Sequence, residues 1–536
     1  MRLSRRMLAL VAAGCSITVV AAAQATGFHG VKPVPGKALG TAVPLMPGGG
    51  LKAVAVAQGS TRLGGATSAN PHYGYDGDGT MVPAPGDVPS DGHLVEATKT
   101  EPDKNTYLVL HGQTGPAQGY DYGSHFLFQG HEAGSPGILT RINLDADPVH
   151  RVTLMASRDV HGAPLPPFDG STWDPFAHRL LLTTEDPDVP GVFQATVGYP
   201  SAVRDLDGVL GRGGYEGVQV DPLGRLWLVE DQGGDTGSVN TNAKQPNSFL
   251  YRFIPSDPAD LTAGGLLQAL QVISLRSGDP MVFHDGQADA DITSPDVRDL
   301  HSYGKVFRTR WVTVHDTAED GTAPFDANAL AKAARATPFK RPENGVFAPG
   351  GGFRTFVFTE TGDTNADSEA GAALGGYGAV FKLTQQHPDS SRGRLRLVLR
   401  GDKQHTGFDN IAFADRTTAL VAEDAGDTLH TQRGTFDSLW AVRTTADYGD
   451  SDTPRPIRVV YVGRDASATI DSALSEFDGF QNEADNEITG IHVSDGDASV
   501  AGLLGVRVPH PFRGMRWRVF LTAQHGDNVT YELIRR

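Results

Sequence analysis

From about residue 105 onward the chain is built of short apolar runs, each bounded by Gly, Asp, Asn or Pro. Residues 107–111, 125–132 and 137–144 read as strands, as do 180–184, 226–230, 248–254, 355–359, 379–383, 419–422 and 519–523. Sustained 3.6-residue periods are scarce; the helix candidates are 257–270 and the Ala-rich 326–335. Short strands punctuated by turn residues point to an all-β architecture.

A second pattern lies over the first: an acid beside a small or polar residue opens one strand, and an acid closes the next. Asp169-Gly170 leads to Glu185-Asp186, Glu216-Gly217 to Glu230-Asp231, Glu343-Asn344 to Glu360, and Asp409-Asn410 to Glu423-Asp424. The separations of 16, 14, 17 and 14 residues fit two strands and a hairpin. Glu487-Ile488-Thr489-Gly490 leads, through a longer insertion, to Gln524-His525. Four-stranded units repeated radially make a β-propeller. Five units are visible and the strands at 105–145 supply another. The expectation is a six-bladed β-propeller over 105–536 with loop and helix insertions, the largest at 255–340. Residues 26–104, rich in Gly and Pro without a period, read as an extended N-terminal arm.

Residues 1–25 have the form of an export signal. Arg2, Arg5 and Arg6 precede an apolar stretch that ends in small residues suited to cleavage. Ser4-Arg5-Arg6-Met7-Leu8 also has the look of a twin-arginine signal, which would export a folded protein. The single cysteine, Cys15, lies in this leader, so the mature chain would have no disulfide and no thiolate ligand. After cleavage no run is long and apolar enough to span a membrane. A periplasmic or extracellular location follows. The net charge of −17 becomes more negative once the three leader arginines leave. Such a surface disfavours nucleic acid and anionic membranes, and would repel phosphate esters unless bound cations reverse its sign locally.

In a propeller the innermost strands converge, so acids at their starts would meet. Carboxylates at close range raise one another's pKa, and a hard cation removes that cost. Ca²⁺ takes six to eight oxygen ligands, mixing carboxylates with Asn and backbone oxygens, as Asn344 and Asn410 beside the acids would allow. Any single such pair could be a turn former. For Glu216, Glu343, Asp409 and Glu487 together the metal reading is favoured, because Glu is a poor turn residue and its placement repeats. Glu132, next to His131, is a further candidate ligand. Lys340-Arg341-Pro342-Glu343-Asn344 places an arginine, the side chain suited to a bidentate phosphate grip, two residues from a carboxylate. His525 at a strand end is a candidate general acid or ligand.

The order His131-Glu132, Glu216, Arg341-Pro342-Glu343, Asp409-Asn410, Glu487-Ile488-Thr489-Gly490 and Gln524-His525 resembles that of PhoX-type alkaline phosphatases. Tyr251-Arg252-Phe253-Ile254-Pro255 is similar to a strand of that wider family. The resemblance implies an exported six-bladed propeller that hydrolyses small phosphate monoesters with calcium and iron; a monomer is the expected state. By the same resemblance Glu216, Glu343, Asp409 and Glu487 would hold metal and Arg341 would grip the phosphate. One departure stands out. The family's cysteine ligand to iron, just before the His-Glu pair, is missing here, where the chain reads Phe126-Leu127-Phe128-Gln129-Gly130. That puts Fe³⁺ in question and leaves Ca²⁺ as the expected ion. The rival readings are a calcium-dependent lactonase or esterase-like propeller, and a non-catalytic propeller in which calcium is structural.

Overall fold

The computed structural model describes residues 28–33, 45–79, 97–463, 486–513 and 516–536. The expected leader falls outside them. The described chain is mostly antiparallel sheet, with helices confined to short connections. Four-stranded meanders follow one another, and the first strand of each is the one that matters for the site. We label these first strands β1 (Pro102–Val109), β2 (Ser171–Asp174), β3 (Tyr215–Val220), β4 (Gly345–Phe347), β5 (Phe408–Phe413) and β6 (Glu487–Ser494). Each touches the next, and β6 touches β1, so the six form a closed ring with their units radiating outward. That is the layout of a β-propeller.

The ring is closed by the two ends of the chain. Strand Leu51–Ala57 pairs along Val529–Arg535 as the outer strand of the last unit, and Leu45–Pro47 borders the unit that begins with β5. The segment expected to be only a wrapping arm therefore contributes strands. Its Leu-Lys-Ala-Val-Ala-Val-Ala alternation finds a partner almost five hundred residues away. The chain then wedges beside β1: the Tyr73 hydroxyl donates to Gln129 Oε1 at 2.6 Å and sits 2.7 Å from Thr530 Oγ1. Gln129 is thus held inside a strand, and no thiol takes its place.

The expected insertion at 255–340 is also partly sheet. The candidate helix 257–270 is instead a 3-10 turn, Leu261–Ala263, followed by strand Gly265–Val272. Gly264 ends the turn, and Leu267, Ala269 and Leu270 are buried in the core, which sheet pairing with Leu250–Pro255 achieves and an isolated helix would not. A long strand, Phe307–Asp316, then pairs with both Gly265–Val272 and Arg392–Arg400, fusing the third and fourth units into one sheet. The second helix candidate is the helix Ala327–Ala333, capped by the Asp326 carboxylate accepting from the Ala329 amide at 2.8 Å.

Packing between units is aromatic where the third and fourth meet. Trp227 stacks among Trp311, Phe347 and Phe356, with ring centroids 5.1–5.2 Å apart. Its Nε1 donates to Asp221, so the buried indole is satisfied. Each such side chain contributes roughly 2–3 kcal/mol by leaving water. This packing holds the third and fourth units, and so the ends of β3 and β4, against each other.

Candidate metal centre

All six first strands begin with a carboxylate or have one just before them: Asp103, Asp169, Glu216, Glu343, Asp409 and Glu487. At the same end, the second strands or the residues just after them present Glu132, Glu185, Asp231 and Asp424, with His525 in the last unit. The repeated acid–strand–acid pattern is therefore one ring of acids at one end of the propeller.

Two groups are close enough to share a cation. One oxygen from each of Glu185, Glu216, Asp231 and Glu343 lies within 4.8 Å of the others, and so do oxygens of Asp103, Glu132 and Asp169. Of the expected ligands, Glu216 and Glu343 fall in the first group and Glu132 in the second. Asp409 lies beside them: Asn344 Nδ2 donates to Glu216 Oε1 at 2.8 Å and to Asp409 at 3.4 Å. Asn410 Nδ2 donates to Asp409 at 2.6 and 2.8 Å. Glu487 faces His525, with Oε2 and Nε2 3.4 Å apart, and belongs to neither group. The backbone makes this crowding possible. A Cβ on Gly170 would strike the Glu216 carbonyl, so only glycine lets the second and third units approach there.

Burial first, and like-charged neighbours after it, raise Asp103, Glu132, Asp169, Glu185, Glu216, Glu343, Asp409 and Glu487 above the ordinary carboxylate range. Asp103 is pushed up to about 6, with Asp409 as its main like charge. Glu185 is pushed up to about 8, and Glu132, Asp169, Glu216, Glu343 and Glu487 are also raised well above the usual carboxylate range. Glu216 Oε2, Glu343 Oε1 and Asp169 Oδ1 are buried without a hydrogen bond. Orphaned, all-oxygen, carboxylate-rich donors are what a hard cation such as Ca²⁺ requires, and the described residues offer no thiolate.

Basic side chains of the protein lie among these acids. Arg341 sits in left-handed backbone, φ 56°, just before Pro342. Its Nε and Nη2 grip both oxygens of Asp231 at 2.6–3.0 Å, and Nη2 lies 3.4 Å from Glu343. Nη1 makes no hydrogen bond among the described residues. The Arg341 side chain is 19% exposed. His525 is likewise left-handed, φ 72°. A non-glycine residue held there costs about 1–3 kcal/mol and clusters at functional sites. Lys104, which sequence reasoning missed, is buried in β1; its Nζ donates to Asn410 Oδ1 at 2.7 Å amid Asp103, Asp169, Glu216 and Asp409.

Other acids point away from the ring. Glu230 accepts from the Phe249 amide and the Tyr251 hydroxyl, Glu360 binds His301 at 2.8 Å and the Lys340 amide, and Glu423 meets Arg433. These three fasten loops. His131 is satisfied by Thr100 and Thr140 at 2.8 Å each, and burial pushes its pKa down to about 3, so it is a neutral core residue. Asp103 and Glu185 join the site although the acid pattern had not marked them as ligands.

The ring closure and the acid cluster define an all-β protein of propeller layout with a buried carboxylate centre. Residues 240–503 match the family described as alkaline phosphatase PhoX, which bears out over that stretch the resemblance read from the sequence. The match includes Arg341, Glu343, Asp409 and Glu487. No curated protein matches the chain. Among solved structures, the Pseudomonas aeruginosa periplasmic gluconolactonase PpgL is 13% identical, with 77% of this chain and 97% of that one covered and a TM-score of 0.29. An auxiliary nutrient binding protein from Bacteroides thetaiotaomicron is 8% identical over 82% and 79%, at a TM-score of 0.30. Chaetomium thermophilum Sqt1, bound to the N-terminus of ribosomal protein L10, is 9% identical over 82% and 87%, also at 0.30.

Proposed function

We propose that this chain is an exported phosphatase that hydrolyses small phosphate monoesters at the carboxylate ring, with Ca²⁺ as the resident ion. The observation that supports it most is the junction of two features: buried carboxylate oxygens from several units that lack a hydrogen bond, and Arg341 set among them with one donor to spare. Glu216, Glu343, Glu185 and Asp231 would hold one ion, and Asp103, Glu132 and Asp169 another, with Asp409 and Glu487 completing the ring. Bound cations would neutralise phosphoryl oxygens and acidify a water.

The chain's own residues do the rest. Asp231 fixes the Arg341 guanidinium in one orientation, so its free edge can meet an equatorial phosphoryl oxygen without first being ordered. Glu487 holds His525 at the rim, where the imidazole can give a proton to the departing alkoxide. Lys104 balances part of the charge from below and keeps the Asn410 amide turned toward Asp409. The leader at 1–25 supports export.

Turnover of p-nitrophenyl phosphate before and after chelation, beside a lactone and a phosphodiester, tests this reading. Hydrolysis of the monoester alone, lost on chelation and restored by Ca²⁺, is expected. Preference for the lactone, or calcium binding with no hydrolysis of any ester, overturns it.

A further inference from the structure

The outer seam between the third and fourth units carries a row of arginines that the centre does not use. Where Phe307–Asp316 pairs with Arg392–Arg400, Arg308 stands opposite Arg394 and Arg310 opposite Arg392. They alternate with buried Phe307, Thr309, Trp311 and Leu395, so the four share the exposed face, and Arg396 extends the row by the same alternation. Opposite residues in such a pair lie about 4.5–5.5 Å apart at Cα, and same-face neighbours along a strand about 7 Å apart.

Like charges in direct opposition weaken a strand pair. Yet Arg308, Arg392, Arg394 and Arg396 form no ion pair with a carboxylate among the described residues, and Arg310 is engaged only by Gln271, at 2.5 Å. The cleft between Arg308, Arg310 and Arg392 contains a single acid, exposed Asp279. In a chain of net charge −17 this is a local excess of guanidinium without a carboxylate partner among the described residues.

We infer that this seam is a docking surface for an extended, phosphate-bearing polyanion. The charge is complementary, guanidinium forks suit phosphate oxygens bidentately, and the repeat along the strand suits a linear chain of charges rather than one small anion. The seam is also remote from the carboxylate ring. Thr355–Glu360 runs up to the ring end, Ala379–Gln385 runs back from it, and Arg392–Arg400 runs up again, so Arg392 and Arg394 lie at the end farthest from the ring and Arg396 midway. A polymer held there leaves the centre open. This inference does not depend on the phosphatase reading.

The test is binding of long-chain inorganic polyphosphate to the full chain, compared with the double variant Arg308→Gln/Arg394→Gln. Wild type should bind, with affinity falling steeply as NaCl rises, and the double variant should bind at least tenfold more weakly. Without polymer, the variant should unfold at the same or a higher temperature, because an opposed charge pair has been removed; that comparison separates lost binding from lost fold. No binding by wild type, equal binding by the folded variant, or stronger binding of dextran sulfate or phosphatidylglycerol vesicles than of polyphosphate would overturn it.

Discussion

Replacing Arg341 with Ala should destabilise the calcium-free protein as well as stop turnover, and calcium should repair only the first defect. Arg341 holds Asp231 through two N–H groups at 2.6–3.0 Å, and the Asp231 side chain is 4% exposed. Removing one partner of a buried pair costs about 3–5 kcal/mol, because the other charge is left uncompensated. Arg341 is partly open to solvent, so the lower figure, about 3 kcal/mol, applies. With a urea dependence of at least ~3 kcal/mol/M for a chain this long, the midpoint should fall by up to ~1 M. Asp231→Asn should cost less, because Glu343 remains 3.4 Å from the guanidinium. The double variant should cost less than the sum of the two, as coupled partners do. Urea denaturation with chelator and again with saturating Ca²⁺, alongside p-nitrophenyl phosphate turnover, reads all of these. A cation among Glu185, Glu216, Asp231 and Glu343 replaces the lost positive charge, so the gap should narrow in calcium while activity stays lost. An Arg341→Ala midpoint equal to wild type in chelator, or a gap that calcium leaves unchanged, refutes the reasoning.

Three further outcomes follow from the same geometry. Three carboxylates of the ring have folded pKa values raised above their unfolded ones, Asp103 and Asp409 to about 6 and Glu185 to about 8. The folded state therefore keeps protons that the unfolded state releases near pH 4. The stability they contribute is full below that pH and is lost as pH rises through about 6 to 8. Thermal midpoints of the calcium-free chain should fall across that range and be restored by Ca²⁺; a midpoint rising with pH would contradict this. Lys104→Met should cost about 3–5 kcal/mol without calcium, since the buried ammonium is removed from among four carboxylates; urea midpoints unchanged from wild type would exclude that role. Gly217→Ala should lower activity and stability together, because a Cβ there would lie 2.9 Å from the Asn344 Cα and its amide oxygen, displacing the side chain that holds Glu216. Circular dichroism melting and turnover indistinguishable from wild type would show that the contact is not needed.

The acid-opened strands were readable because both signals are local: period-two apolar residues and an acid at a fixed offset. Glu216, Glu343 and Asp409 were legible in that way. In β1, Pro102 to Asn105 show no apolar alternation yet are buried, so hydrophobic patterning sees a loop where the ring has a wall. Asp103 and Lys104 were lost with it. Which member of an acid pair faces the centre depends on the pleat at the strand end, so Glu230 and Asp231 could not be told apart until Glu230 was seen bonded to Tyr251. Strand Leu51–Ala57 was invisible because its partner is the last strand of the chain. Gly265–Val272 looked helical because it is buried at most of its positions rather than alternating.

The central claim is that these carboxylates hold hard cations. Calorimetric titration of Ca²⁺ into the chelator-treated chain, wild type against Glu216→Gln, tests it directly. Saturable binding that releases protons near pH 7 and is at least tenfold weaker in Glu216→Gln is the predicted result. No saturable binding, or equal binding by the two, would contradict the account.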